Sequence, residues 1–324
     1  MCQYSERVPN EPYAVVVGGA AMDLKARSAD PVRLHTSNPG TLTQTAGGVG
    51  RNIAEGLARL GSRVHLVAAI GDDLAGEDLL ARTARAGVGL AHIVRVPEPT
   101  GSYLALLDSD GELIVAVADL AATDALTVAQ VAGARDLIGG AAVVVLDGNL
   151  PAGVLVWVLT IAAAAGVRTV LEPVSVAKAG RLSGLVQPAH PLFTLTPNLD
   201  ELAALAGRPV ADTRDAISAA RELQARGVAH VWVSRGERGS LFCADDGTVT
   251  VLDAAPATVV DVTGAGDALT AGYVHGLLAG EPPLAAARTG HLAAALTIAS
   301  PQTVRPDLGE AFARARSATR GDPR

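Results

Sequence analysis

Short, unbroken apolar runs alternate along most of this chain with longer stretches whose apolar residues recur every three or four positions. The first run, Ala14-Val15-Val16-Val17, is β-branched, unalternated and stopped by Gly18-Gly19. That is the pattern of a strand buried on both faces. Asn52 to Leu60 then places Ile53, Leu57 and Leu60 on one face and ends at Gly61, as an amphipathic helix should. The pattern predicts a strand over Val64–Ile70, a helix over Ala75–Ala86 and a short strand near His92–Val94.

The rhythm breaks between Gly101 and Leu120. Tyr103–Leu107, the turn Asp108-Ser109-Asp110-Gly111 and Glu112–Val117 read as a β-hairpin. A second strand-like stretch runs from Asp23 to Arg33 and on to Thr45. These two stretches, about 23–46 and 95–119, are expected to pair into a small β lid outside the main body. From Thr127 the alternation returns. Strands are predicted at Ala142–Leu146, Thr169–Glu172, Phe193–Leu195 and His230–Ser234, and helices at Ala152–Ala164, Leu199–Ala206 and Asp212–Ala225. Two Ala-rich helices, about Gly266–Leu278 and Leu284–Ala299, follow. The order implies an α/β fold with a mostly parallel central sheet flanked by helices on both faces. One domain over 13–318 is expected, between a polar N-terminal tail (1–12) and a small polar C-terminal tail (319–324).

Composition narrows the classes. At 324 residues, 49% hydrophobic and 18% charged, the chain can bury a large core. A net charge of −7 speaks against a general nucleic-acid binder, which needs a basic face. The N-terminus lacks a signal-peptide pattern and no apolar run is long enough to span a bilayer, so a cytoplasmic protein without a membrane partner is expected. Of the two cysteines, Cys2 lies in the polar tail, so Cys2 and Cys243 do not read as a structural disulfide.

Two segments carry candidate chemistry. In Asp261-Val262-Thr263-Gly264-Ala265-Gly266-Asp267, small residues open a long helix. Their backbone N–H groups and the helix dipole suit an anion, phosphate above all. Asp267 would repel that anion unless it has a task, and accepting a proton from an attacking hydroxyl is one. The same residues equally describe an ordinary helix with Asp in its first turn. In Ala46-Gly47-Gly48-Val49-Gly50-Arg51-Asn52, glycines allow close approach to a ligand, and Asn52 both donates and accepts. Read alone, this is also a flexible strand-to-helix turn. Lysine occurs only at Lys25 and Lys178, neither in a Walker A loop; no dinucleotide fingerprint and no Cys/His metal cluster is present.

Together the two glycine segments resemble the paired signatures of the PfkB, ribokinase-like, carbohydrate kinase family, from Val15 to about Val304. The resemblance implies an ATP-dependent sugar or nucleoside kinase using Mg²⁺. Gly264, Ala265 and Gly266 would form the anion hole and Asp267 the general base. Asn198-Leu199-Asp200-Glu201 matches the family's N-x-x-E element, which implies that Asn198 and Glu201 organise Mg²⁺ and the ATP phosphates through water; locally the pair also reads as a capping box. Ser234, Gly236, Gly239 and Thr263 would line the ATP site. A monovalent-cation (K⁺) loop in relatives carries over to Asp261 and Ser300.

Within the family, Ser37-Asn38-Pro39-Gly40, Gly47 to Ala54, Thr100 to Tyr103, Asp108, Asp119, Asp147 to Leu150 and Pro173 to Lys178 resemble the branch acting on pseudouridine. That implies phosphorylation of a nucleoside 5′-hydroxyl. Asp23 would hold two ribose hydroxyls, with Gly47, Gly48 and Asn52 on the other side of the sugar. Ser37 and Ser102 are candidates for the uracil edge, and Thr100 and Asp119 for further substrate contacts. Lys178 would touch the transferring phosphate or the nucleoside. Many relatives carry Asn two residues before the sugar-binding Asp; here that position is Ala21. The lid strands have edges that invite a homodimer.

Overall fold

The computed structural model describes residues 11–320, so Cys2, most of the expected N-terminal tail and residues 321–324 lie outside the described residues. The chain runs β1 (Tyr13–Val17), β2 (Ala21–Ser28), β3 (Gly40–Gly47), α1 (Val49–Arg59), β4 (Arg63–Val67), β5 (Ala69–Gly71), α2 (Leu74–Arg85), β6 (Val94–Val96), β7 (Gly101–Leu107) and β8 (Leu113–Asp119). Three short helices follow: α3 (Ala121–Asp124), α4 (Val128–Val131) and α5 (Arg135–Gly139). Strict alternation then resumes with β9 (Val143–Asp147), α6 (Ala152–Ala164), β10 (Arg168–Glu172), α7 (Val176–Leu182), β11 (Leu192–Leu195), α8 (Leu199–Ala206), α9 (Thr213–Ala225) and β12 (Val228–Ser234). The last elements are β13 (Ser240–Cys243), β14 (Val249–Leu252), α10 (Ala265–Leu278), α11 (Pro283–Ile298) and α12 (Leu308–Arg320).

Eight strands form the main sheet in the order β14-β13-β12-β11-β10-β9-β1-β4. From β4 to β12 all pairs are parallel; β13 and β14 add an antiparallel edge. The apolar runs bury both faces because successive side chains point opposite ways. Val15 and Val17 of β1 join Val144 and Leu146 of β9 in one core, with α6 and α9. Ala14 and Val16 join Val143 and Val145 in the other, against α1 and α10. α10 lies deep in the fold: it packs along α11 and α1, and Tyr273 is fully buried with its hydroxyl 2.7 Å from Thr194 Oγ1. Its near-uniform small and apolar composition is what such a position requires.

Four strands form the second sheet, in the order β3-β2-β7-β8. The strand-like stretch from Asp23 to Thr45 is in fact two antiparallel strands, with Ala21 opposite Gly47 and Ser28 opposite Gly40. Pro31 and Pro39 fall in the connection, where neither ladder needs their missing N–H. The run Val64–Ile70 also divides. β4 stays on the main sheet's edge, and β5 turns away after Ala68 to pair with β6. Hydrophobicity does not register that change of partner. The C-terminal helix continues to Arg320, two residues into the expected C-terminal tail.

One buried carboxylate joins these parts. Asp147, at the end of β9, has no exposed surface. Its Oδ2 accepts from Gly19 N and Gly50 N, both at 2.8 Å, and its Oδ1 from Asn149 N at 2.9 Å. Asp147→Asn keeps the shape but replaces one acceptor oxygen with a donor that faces an N–H. The variant should lose about 1–3 kcal/mol of stability, read as a lower urea midpoint with unchanged m-value.

Candidate active site

Ligands of open parallel sheets gather beyond the carboxyl ends of the strands. Here those ends present Gly18-Gly19 after β1, Asp147 of β9, Glu172 of β10, Thr196 to Asn198 after β11 and Ser234 of β12. The second sheet covers this end through Asp23 of β2, and the start of α10 enters it.

Asp267 stands in the first turn of α10. Gly264 precedes that helix as its N-cap, at φ 79°. A side chain there is excluded twice, by the left-handed backbone and by Thr303 O, which a Cβ would meet at 2.2 Å. Ala265 N bonds back to Val262 O and Ala268 N to Gly264 O. The N–H groups of Gly266 and Asp267 lie in the helix's first turn, where no preceding turn supplies an acceptor.

Asn52, in α1, donates from Nδ2 to Asp267 Oδ2 at 2.7 Å. Its own Oδ1 accepts from Arg51. Burial pushes the Asp267 carboxyl up to about 7, against the lowering effect of the Asn52 bond. Asp147 and Asp23 push the same way and Arg51 opposes them. Asp23 is also raised, again chiefly by burial, with Arg51 and Lys25 holding it down. Asp23 pairs in register with Thr45 on one side and Tyr103 on the other, and the carboxyl lies over Gly47, where a Cβ would meet it at 2.3 Å. Gly47 ends β3 and Gly48 caps α1 at φ 91°.

Asn198 and Glu201 form a reciprocal capping box at the start of α8: Glu201 N donates to Asn198 Oδ1 and Asn198 N to Glu201 Oε2, both at 2.9 Å. Beside them lies a carboxylate the sequence reading left unassigned. Glu172 accepts from Thr196 Oγ1 at 2.6 Å and from Thr270 Oγ1 at 3.2 Å. Burial raises it to about 8, and Glu201 and Asp267 add to the rise. The available signal was its place at a strand's carboxyl end before Pro173. Lys178, in α7, is half-buried and donates to Asn149 Oδ1; burial lowers its pKa.

Other expected positions fall as follows. Ser234 bridges to Asn198, and Gly236 and Gly239 bound the tight turn between β12 and β13. Thr263 N donates to Asp261 Oδ1 at 2.8 Å, and Asp261 Oδ2 faces Lys25 Nζ at 3.4 Å. Ser300 is buried and donates to Gln302 at 2.5 Å. Ser102 and Asp119 are paired across β7 and β8. Ser37 is exposed in the connection between β2 and β3. Thr100 has a structural task instead of a free hydroxyl: it donates to Asp73 at 2.6 Å and accepts from Gly71 N at 3.0 Å. Ala21 is buried between Gly47 and Gly101.

A model of the pfkB family carbohydrate kinases matches residues 11–308. The chain belongs to that family. It is an ATP-dependent kinase of the sugar and nucleoside class. The uncharacterised sugar kinase YeiI of Escherichia coli K12 is 38% identical over 300 residues, 92% of this chain and 81% of that protein. The pseudouridine kinase of the same strain is 33% identical over 297 residues, 91% of this chain and 93% of that one. The structure of Arabidopsis thaliana ribokinase complexed with ribose and ATP superposes with a TM-score of 0.80 at 24% identity, over 93% of this chain and 98% of that one. It shows the shared ribokinase-like fold. Among the described residues no helix is long and apolar enough to cross a membrane.

The acidic cluster has a measurable signature. Glu172 holds its proton in the folded state up to about pH 8 but gives it up near 4.5 when unfolded. Between these values the unfolded chain loses the proton and the folded chain keeps it, so stability falls as pH rises. Glu172→Gln removes this contribution. In metal-free protein, the decline in Tm from pH 5 to pH 8 should be smaller for the variant than for the parent.

Proposed function

We propose that the chain transfers the γ-phosphate of ATP to the 5′-hydroxyl of pseudouridine, with Asp267 as general base. The observation that carries the reading is the Asp267 carboxyl itself. It stands at the open N-terminus of α10, held by Asn52, with a pKa of about 7. A base poised near the working pH combines adequate ionisation with useful basicity. The Asn52 bond occupies Oδ2 and leaves Oδ1 to accept the hydroxyl proton.

In this reading the backbone N–H groups at Gly264–Gly266 receive the charge that develops on the transferring phosphoryl oxygens. Asp23 accepts hydrogen bonds from the ribose diol, and Gly47 and Gly48 let the sugar approach the backbone. Lys178 extends toward the same end of the sheet and offers a cation to the phosphate. Ser234, Gly236, Gly239 and Thr263 line the nucleotide side. The donor set suits a divalent cation brought in with ATP. Among the described residues no three clustered His, Cys, Asp or Glu side chains could hold a metal alone; burial raises both Glu172 and Glu201, and Glu201 adds to the rise of Glu172. Asn198, Glu201 and Glu172 would hold Mg²⁺ together with the phosphates, and the ion would supply charge neutralisation there.

Pseudouridine is favoured over free ribose by the 33% identity to a pseudouridine kinase across nearly both full lengths. The second sheet, with Asp23, acts as a lid over the nucleoside. Its opposite face exposes Leu42, Leu104, Val115 and Val117, an apolar surface that a second copy of the chain would cover, giving a homodimer.

Asp267→Asn should keep the fold and nucleotide binding and lose on the order of 10²–10⁴ in kcat. Parent kcat/KM should rise with pH through about 7, the value for Asp267 in the free protein. Near-normal turnover by the variant would reduce Asp267 to a helix-end residue. The substrate is decided by initial rates on pseudouridine, uridine, other nucleosides and ribose with ATP. Pseudouridine should exceed uridine in kcat/KM, because a lid acceptor for its extra N–H would be left unpaired when uridine binds. A preference for ribose or uridine would overturn the substrate and leave the kinase.

A further inference from the structure

Arg51 is 1% exposed, an unusual place for a guanidinium. Its Nε donates to Gly47 O and one terminal nitrogen to Ala46 O, each at 2.9 Å. The other terminal nitrogen meets Glu55 one helical turn on, and the nitrogen bonded to Ala46 O also reaches Asn52 Oδ1. Glu55 is itself fixed by Arg59 at 2.9 Å. Arg51 is therefore locked from both ends, by two carbonyls of the glycine turn and by a carboxylate that a second arginine braces.

The consequence falls on Asn52. A side-chain amide can present either its oxygen or its NH₂ to a neighbour. With Arg51 donating to Oδ1, only the NH₂ can face Asp267. Without that donor the amide is free to turn, and its oxygen would then oppose a carboxylate. We propose that Arg51 is a positioning residue for Asp267, acting through the orientation of the Asn52 amide. The inference rests on Asp267 being the base.

Several charged groups share the surroundings of Asp267. Arg51 of α1 favours its ionised form. Asp23 of β2 and Asp147 of β9 oppose ionisation, and Glu172 of β10 is coupled to it as a like charge. Of the side-chain bonds that Asp267 makes, the one from Asn52 is the leading influence favouring the carboxylate. Loosening that bond should raise the pH at which the base becomes ionised. It should also lower kcat more than it alters KM for ATP.

The test is the pH profile of kcat/KM and kcat for Arg51→Lys, Glu55→Gln and Asp267→Asn beside the parent, with folding checked by circular dichroism. Lysine keeps a positive charge but cannot reach both carbonyls and Asn52 with fixed geometry. For Arg51→Lys, kcat/KM at pH 6.5 should fall on the order of tenfold more than at pH 9, equivalent to about one pKa unit. A folded Arg51→Lys variant with the parent's profile overturns the proposal. If that variant does not fold, Glu55→Gln decides. It removes the carboxylate that holds one end of the guanidinium, so the Asn52 amide should be held less firmly and the acid limb should move to higher pH, in the same direction as for Arg51→Lys. An unmoved limb, or a loss of kcat with no change in profile, overturns the proposal in favour of simple packing. Full turnover by Asp267→Asn would show instead that the base assignment has failed, independently of what Arg51 does.

Discussion

The arrangement depends on a carboxylate buried without a counter-ion in direct contact. Asp147 is held by three backbone N–H groups from three different segments, the turn after β1, the first turn of α1 and the loop after β9. Burial still raises its pKa. N–H donors satisfy a carboxylate only if they approach to hydrogen-bonding distance, and that closeness leaves no room for side chains. A Cβ on Gly18 would lie 2.5 Å from Asp147 Oδ2, and one on Gly50 would lie 2.7 Å from Gly18 Cα. The glycines flanking β1 and opening α1 are thus one requirement seen from two sides. They fix α1 against the sheet, and α1 carries Arg51 and Asn52. The position of the Asn52 amide is inherited from the Asp147 contact.

At the same end of the sheet the protein accepts electrostatic cost. Asp23, Asp147, Glu172, Glu201 and Asp267 are all raised above ordinary carboxylate values, each with burial as the first cause. A packing-driven sequence would not keep five carboxyl groups there with so few cations. Perturbed groups gathered beyond strand ends are instead what a phosphate-transfer site needs, because its substrates bring their own charge and metal. Arg51 is the exception among the cations. It sits inside the cluster and is neutralised on its far side by Glu55, so its influence on Asp267 is directional.

The sequence made the central α/β order legible because doubly buried strands leave uninterrupted β-branched runs and their helices leave three-to-four periodicity. α6 and α8 have the bounds their periodicity implied. What it hid were changes of partner. Nothing in Val64–Ile70 says that β5 leaves one sheet for another, since both environments are apolar. The β13–β14 edge was equally silent, because a short hairpin carries the same residues as a short parallel strand. In the site, Asp267 stood out because a carboxylate contradicts an anion-binding turn. Glu172 did not, because a single Glu at a strand end resembles any surface residue until Thr196 and Thr270 are seen to enclose it. The Thr100 hydroxyl was equally hard to place from sequence, since its partners Asp73 and Gly71 lie 27 and 29 residues away.

The second sheet ties the place of Asp23 to strand register. Asp23 shares its face with Lys25, Thr45 and Tyr103, while Leu24, Leu104 and Val117 occupy the other. A one-residue slip of β2 would exchange these sets and put Met22 or Leu24 where the carboxylate stands. The register is pinned at Ala21, which is 2% exposed between Gly47 and Gly101. An Asn side chain at that place would need room that the small neighbours do not provide without displacement of the strands. The departure at Ala21 is then coupled to the glycines beside it, and restoring Asn alone would disturb the ladder that aims Asp23. The same alternation that turns Asp23 toward the cleft turns Leu104 and Val117 outward.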